Sequence, residues 1–153
     1  MQQSVEVEIA APLERVWDVL TGVDSHPQVF TSIVRIERRD RGPLAVGSSW
    51  AETRRVLGMD LTASAEVVDL EPHAGLVVIG EMLDVPYRSR HRLEPLPSGR
   101  TRLRHIFSSS PAGGRVTGVS FRILSRMTAR STRRSMVADL HEIRRAAEQA
   151  HGA

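Results

Sequence analysis

The sequence predicts an α+β domain in which antiparallel strands cover one long C-terminal helix. Two observations carry this prediction. Residues 33–108 read as alternating segments joined by turns too short for crossover helices, which implies antiparallel pairing. Residues 116–150 show sustained helical periodicity: Phe121, Leu124, Thr128, Thr132, Met136, Leu140, Ile143 and Ala147 recur at steps of three or four. That face carries no charge, whereas the other side holds Arg122, Arg126, Arg130, Arg133, Arg134, Arg144 and Arg145. Burying its five large apolar side chains contributes roughly 1.5 to 3 kcal/mol each, against roughly 1 to 2 kcal/mol per residue for ordering the chain. The helix therefore needs the strands to cover it.

Taken in order, residues 4–10 alternate Val5, Val7 and Ile9 with Glu6 and Glu8, the pattern of a strand with one buried face. Pro12 suits the first turn of a helix whose apolar stripe is Leu13, Val16, Trp17 and Leu20, and Gly22 stops it. A second short helix is expected over 25–30, near Pro27. Strands follow over 33–39, 48–56, 61–70, 76–83, 86–94 and 101–108, separated by turn residues at 40–43, 57–58, 71–75 and 97–99. The loop 111–114 then releases the chain into the long helix.

At 153 residues and 41% hydrophobic content, the chain is expected to form one domain, 1–153, with a sizeable core. It has no cysteine, which excludes disulfides and thiolate chemistry and leaves the redox compartment open. The start carries no signal-peptide pattern and no apolar run reaches membrane-spanning length, so a cytoplasmic protein is expected. All 21 cationic residues are arginine, with no lysine and no asparagine; net charge is only +3, yet residues 95–138 contain nine arginines and no acid. Nucleotide, metalloprotease and hydrolase signatures (GxxxxGK[ST], GxGxxG behind a strand, HExxH, GxSxG) are absent from the sequence.

Three stretches carry a family resemblance: VEIAAPLERVWDVLTGVDSHPQVF, GPLAVGSSWAETRRVLGMDLTASAEVVDLEP and YRSRHRLEPLPSGRTRLRH. They resemble polyketide cyclase/dehydrase-type members of the START/Bet v 1-like (SRPBCC) superfamily, over nearly the whole chain. The resemblance implies a helix-grip fold: a curved seven-stranded antiparallel sheet wrapped around the long C-terminal helix, with two short helices after strand one. It also implies a cavity between sheet and helix for an apolar small molecule, roughly 300 to 1,000 Å³ in volume. The superfamily includes lipid carriers, hormone receptors and aromatase/cyclases, so the resemblance fixes fold more closely than activity.

Strand phase nominates the side chains that face this cavity. With Arg88, Arg90 and Arg92 outside, Tyr87, Ser89, His91 and Leu93 turn inward; with Arg102 and Arg104 outside, Thr101, Leu103, His105 and Phe107 do the same. His91 and His105 then meet on strands that the family topology makes neighbours, where they either transfer protons or lend polarity to a pocket. Trp50, Glu52 and Arg54 share one strand face, and an inward Trp50 brings both charges with it; the alternatives are that Glu52 and Arg54 sit near a solvated cavity mouth, or that the phase is reversed and Trp50 lies outside. On the helix, Leu124, Thr128, Thr132 and Ser135 complete the candidate ligand-binding set, and Phe30 is expected at the entrance. The catalytic candidates are His91, His105, Glu52 and Tyr87. No cofactor is expected, and no metal, although Glu52, His91 and His105 are formally a two-histidine, one-carboxylate set.

The arginines have two readings. In the implied topology Glu6 and Glu8 lie opposite Arg102 and Arg104, so cross-strand pairs account for part of the charge. The alternative is an anionic partner, an acidic acyl carrier protein among them; nucleic acid is disfavoured by an aromatic content of 4%. The leading expectation is a module binding an apolar or aromatic, lipid- or polyketide-like molecule. The runner-up is a polyketide cyclase/aromatase, and an interaction domain working through the arginine face comes third.

Overall fold

The computed structural model describes residues 1–56, 58–110 and 118–152, with side chains of the last segment described from 129 to 149. Alternation at period two becomes seven strands: β1 (Gln2–Ile9), β2 (Ile33–Arg38), β3 (Ser49–Val56), β4 (Met59–Glu71), β5 (Gly75–Met82), β6 (Val85–Leu96) and β7 (Arg100–Ser109). Helices α1 (Leu13–Thr21) and α2 (His26–Val29) follow β1, joined by a 3₁₀ turn at Val23–Ser25, and α3 (Gly118–Gly152) closes the chain. Leu57 and the expected loop 111–114 lie outside the described residues.

The strands form one antiparallel sheet in the order β1-β7-β6-β5-β4-β3-β2. Register shifts in β2 at Ile33/Arg35 and between β4 and β5 at Val67/Asp69 add local twist, which helps the sheet curve. Its concave face holds Val5, Ile9, Trp50, Ala65, Val67, Leu76, Val78, Leu93 and Leu103, all buried. Against them lie Met136, Leu140, Ile143 and Ala147 of α3, each at most 3% exposed, and Val16, Trp17 and Leu20 of α1. From Met136 to Ala147 the helical stripe therefore does what its spacing predicts, while the side chains of Phe121, Leu124 and Thr128 lie outside the described residues, and this is the helix-grip arrangement.

Two boundaries differ from expectation for local reasons. β5 stops at Met82 because Leu83 and Asp84 both take positive φ (52° and 60°), the backbone of a two-residue hairpin turn. The second helix begins at His26 because residues 23–25 are already wound as a 3₁₀ turn. One expectation about α3 is wrong: the inward side is not free of charge, since Asp139 turns toward β3 and meets Arg54.

On the convex side, Arg104 bonds Glu6 at 2.9 Å, and Arg102 lies 3.5 Å from Glu8 and 3.3 Å from Glu94. These arginines serve the sheet. Arg102→Ala and Arg104→Ala are each expected to lower stability slightly, and less at high salt. Urea denaturation at two salt concentrations measures this; a salt-independent loss would assign it to packing of the arginine stems instead.

Candidate functional site

The inward faces of β6 and β7 place four rings in one patch. His91 is directly opposite His105 in the register, and their imidazoles stack 4.1 Å apart at 13°. One register step of two residues along, Ser89 faces Phe107, and the Ser89 hydroxyl lies 2.7 Å from His105 Nε2. Tyr87 stacks on Phe107 at 5.8 Å, and its hydroxyl donates to the Ser64 carbonyl at 2.6 Å. The register partner of Tyr87 is Gly80, where a Cβ would stand 1.8 Å from the Ser64 carbonyl oxygen and 2.7 Å from the Tyr87 hydroxyl. Glycine is what lets the phenol cross to β4.

The imidazoles are held neutral. Burial lowers His91 well below the ordinary histidine value, and the charges of His105, His26 and Arg54 add to it. Burial, with Arg54, brings His105 down to about 4. The Nδ1 atoms of both rings are buried without a hydrogen-bond partner. A buried polar atom left unsatisfied costs about 1 to 3 kcal/mol, so two on adjacent rings are an unusual concentration of unmet bonding capacity.

Beside the rings lies a charge network. Trp50 does face inward and is buried, and Glu52 and Arg54 follow it on the same face. Arg54 donates through Nε to Glu52 at 2.5 Å and through Nη1 to Asp139 of α3 at 2.9 Å and to the Ser32 hydroxyl at 3.0 Å. Burial works to lower the guanidinium pKa, but the two carboxylates outweigh it and the net shift is upward, so Arg54 stays cationic. Asp139 is pushed up to about 6 by burial, against the pull of Arg54. Tyr87 is raised by burial and by the Glu52 charge, which keeps it a phenol.

A third layer holds Arg54 from below. Its guanidinium sits 5.8 Å above the Phe30 ring, and His26 meets Phe30 edge-on at 4.9 Å. His26 Nε2 lies 3.2 and 3.1 Å from the carbonyls of Val19 and Leu20, the last turn of α1. Two acceptors there put the proton on Nε2. Phe30 is thus a buried floor under the guanidinium, where an entrance position was expected.

The structure packs Phe30, from the end of α2, against Arg54 and brings Trp50, Glu52, Arg54, Tyr87, Ser89, His91, His105 and Phe107 together on the concave face of the sheet. Thr132 and Ser135 are half-buried on α3 above it, while the side chains of Leu124 and Thr128 lie outside the described residues. Sequence reasoning missed Asp139, Ser32 and His26. Asp139 had a signal: it is the first acid after the arginine run, and it follows Ser135 by one helical turn. Among the described residues no three of His, Asp and Glu converge as metal ligands. A groove of about 470 Å³ on the convex side runs between Asp69 and Glu71 and the arginines Arg90 and Arg92. It is solvent-open and lies on the other side of the sheet from the rings.

The comparisons with known proteins agree with this architecture. The family described as polyketide cyclase/dehydrase and lipid transport matches residues 2–148. Among solved structures, the Zhui aromatase/cyclase from Streptomyces sp. R1128 is 25% identical, with a TM-score of 0.78 over 97% of this chain and 95% of that one. A START superfamily protein from Mycobacterium smegmatis is 16% identical, with a TM-score of 0.67 over 93% and 98%. The di-domain ARO/CYC BexL from the BE-7585A biosynthetic pathway is 16% identical, with a TM-score of 0.71 over 94% of this chain and 46% of that one. No curated protein matches the sequence. No helix among the described residues is long and apolar enough to cross a membrane. With its helix-grip fold and a family match running almost end to end, this chain belongs to the polyketide cyclase/dehydrase and lipid transport family.

Proposed function

We propose that the protein binds an aromatic, poly-carbonyl small molecule of polyketide type in a cavity between α3 and the concave face of the sheet. The observation that carries the reading is the stacked pair His91 and His105, whose Nδ1 atoms have no partner beside the half-buried rings of Tyr87 and Phe107. Flat rings suit stacking, and unmet ring nitrogens suit a ligand that carries oxygen. A purely aliphatic lipid would leave both nitrogens unsatisfied and gain nothing from Arg54. The likeness to the Zhui aromatase/cyclase supports the same ligand class. Native mass spectrometry of gently purified protein tests it: a co-purifying aromatic or poly-oxygenated molecule is the expected result, and a fatty acid or phospholipid alone would contradict it.

A second reading, acid–base catalysis on that ligand, is favoured by the spread of ionisation behaviour in the site. Asp139, near 6, is the group of the network whose ionisation lies closest to neutrality, and the neutral imidazoles can accept a proton at their unpartnered Nδ1 atoms. Of the sequence candidates, Glu52 is already engaged by Arg54 and the Tyr87 hydroxyl is already donated to Ser64, which leaves His91 and His105. If either imidazole moves the proton, its replacement by alanine lowers turnover at saturating poly-β-keto substrate roughly 10²-fold or more, beyond any loss of affinity. Turnover that survives both single substitutions and the double one would exclude the histidines as catalysts.

A further inference from the structure

The arginines divide into two groups that the structure treats differently. Those of β7 are paired: Arg104 with Glu6, and Arg102 with Glu8 and Glu94. On α3, Arg144 pairs with Glu148 at 3.7 Å, whereas three arginines nearer the middle of the helix do not pair with an acid. Arg130, Arg133 and Arg134 are exposed, and no carboxylate among the described residues bonds them; Arg133 reaches only the Ser4 carbonyl. With Val137, 38% exposed, they line a shallow depression of about 370 Å³ on the solvent side of α3.

This arrangement works against the helix's own stability. Arg130 and Arg134 stand four residues apart with Arg133 beside them, and like charges at that spacing repel; the sequence repeats the step at Arg126 and Arg122, whose side chains lie outside the described residues. No acid interrupts them before Asp139, and Asp139 is turned inward to Arg54. Like charges at this spacing, with no carboxylate bonded to them among the described residues, mark a surface that is compensated from outside.

We propose that the arginine face of α3 docks an acidic helix of a partner protein. Carboxylates at four-residue steps on a second helix repeat every 6 Å or so, the pitch of the arginine row, and Val137 offers the small apolar contact at its end. A bilayer fits less well, because the apolar side of α3 is already buried under the sheet at Met136, Leu140, Ile143 and Ala147, leaving nothing to insert. A nucleic-acid duplex fits less well too, because the sheet grips α3 on one side and keeps the helix out of a groove.

The test uses the full chain and three probes. These are a 20-residue helical peptide with glutamate at every fourth position, vesicles containing 30% phosphatidylserine, and a 20-base-pair DNA duplex. The expected result is saturable binding of the peptide in preference to both others. Arg130→Gln/Arg134→Gln should weaken it by about tenfold or more and flatten its salt dependence, while Arg102→Gln/Arg104→Gln should leave it within about twofold. The helix variant should also melt no lower than the parent, since it removes a repulsion. Tighter binding of vesicles or DNA than of the peptide, equal loss in both variants, or a lowered melting temperature for the helix variant would each overturn the proposal.

Discussion

Replacing Arg54 by leucine is expected to lower the stability of the fold by about 2 to 3 kcal/mol at pH 8. Removing one partner of a fully buried ion pair costs roughly 3 to 5 kcal/mol, and Arg54, Glu52 and Asp139 are not quite that buried, with side chains 23%, 18% and 15% exposed. The substitution strands Glu52 and Asp139 together beneath α3, two like charges with no cation within bonding distance. The loss should be smaller at pH 5, because Asp139 already takes up its proton near pH 6 and would do so more readily without the guanidinium. Asp139→Asn should cost less, since Arg54 keeps Glu52. Urea denaturation at the two pH values measures all of this. A leucine variant as stable as the parent at both would mean that water screens the network and that Arg54 does not clasp α3 to the sheet.

Acidification should destabilise the protein between about pH 6.5 and 4, chiefly through its buried histidines. His26, His91 and His105 are all lowered by burial, so over this window the unfolded chain binds protons that the folded chain refuses. Their contribution is fully present above the unfolded pKa of 6.5 and is lost as pH falls toward the folded value. For His105 the interval from 6.5 to about 4 corresponds to about 3 kcal/mol, at about 1.4 kcal/mol per pH unit. Asp139 works in the opposite sense. Its folded pKa is raised from 3.8 to about 6, so the folded state binds the extra proton and gains on acidification through that range. Three histidines outweigh one carboxyl. Denaturation midpoints at pH 7.5 and 5.0 should therefore fall for the parent, fall more steeply for Asp139→Asn, and flatten for His91→Gln/His105→Gln. A histidine variant with the parent's pH dependence would show that other groups set it.

How much of this was legible in the sequence depended on the period of each element. In the strands the side chains alternate strictly, so arginines at every second position of β6 and β7 were enough to aim Tyr87, Ser89, His91, His105 and Phe107 inward. The pairing of His91 with His105 followed once the strands were taken as neighbours. Parity alone also tied Glu52 and Arg54 to Trp50, although it could not say which face was inside; the burial of Trp50 decides that. On a helix the boundary between faces is gradual. Asp139 lies beside Met136 and Ile143, and an acid there reads as solvent-facing until Arg54 is known to stand across from it. His26 left no trace because its partners are backbone carbonyls of Val19 and Leu20, and backbone atoms carry no sequence signal. Phe30 ends the second short helix, a position that reads as an entrance; the cation above it and the imidazole beside it make it a floor.

The central claim is that a ligand sits against the ring cluster of the concave face. Titration of the protein with a tricyclic phenol such as 1,8-dihydroxyanthraquinone, followed through the imidazole nitrogen signals of His91 and His105 by NMR, tests it most directly. The account predicts saturable shifts of both imidazoles, abolished or strongly weakened in Arg54→Leu, with His73 and His141, exposed and away from the ring cluster, unmoved. Saturable binding that leaves His91 and His105 unshifted, or that shifts only the exposed histidines, would contradict it.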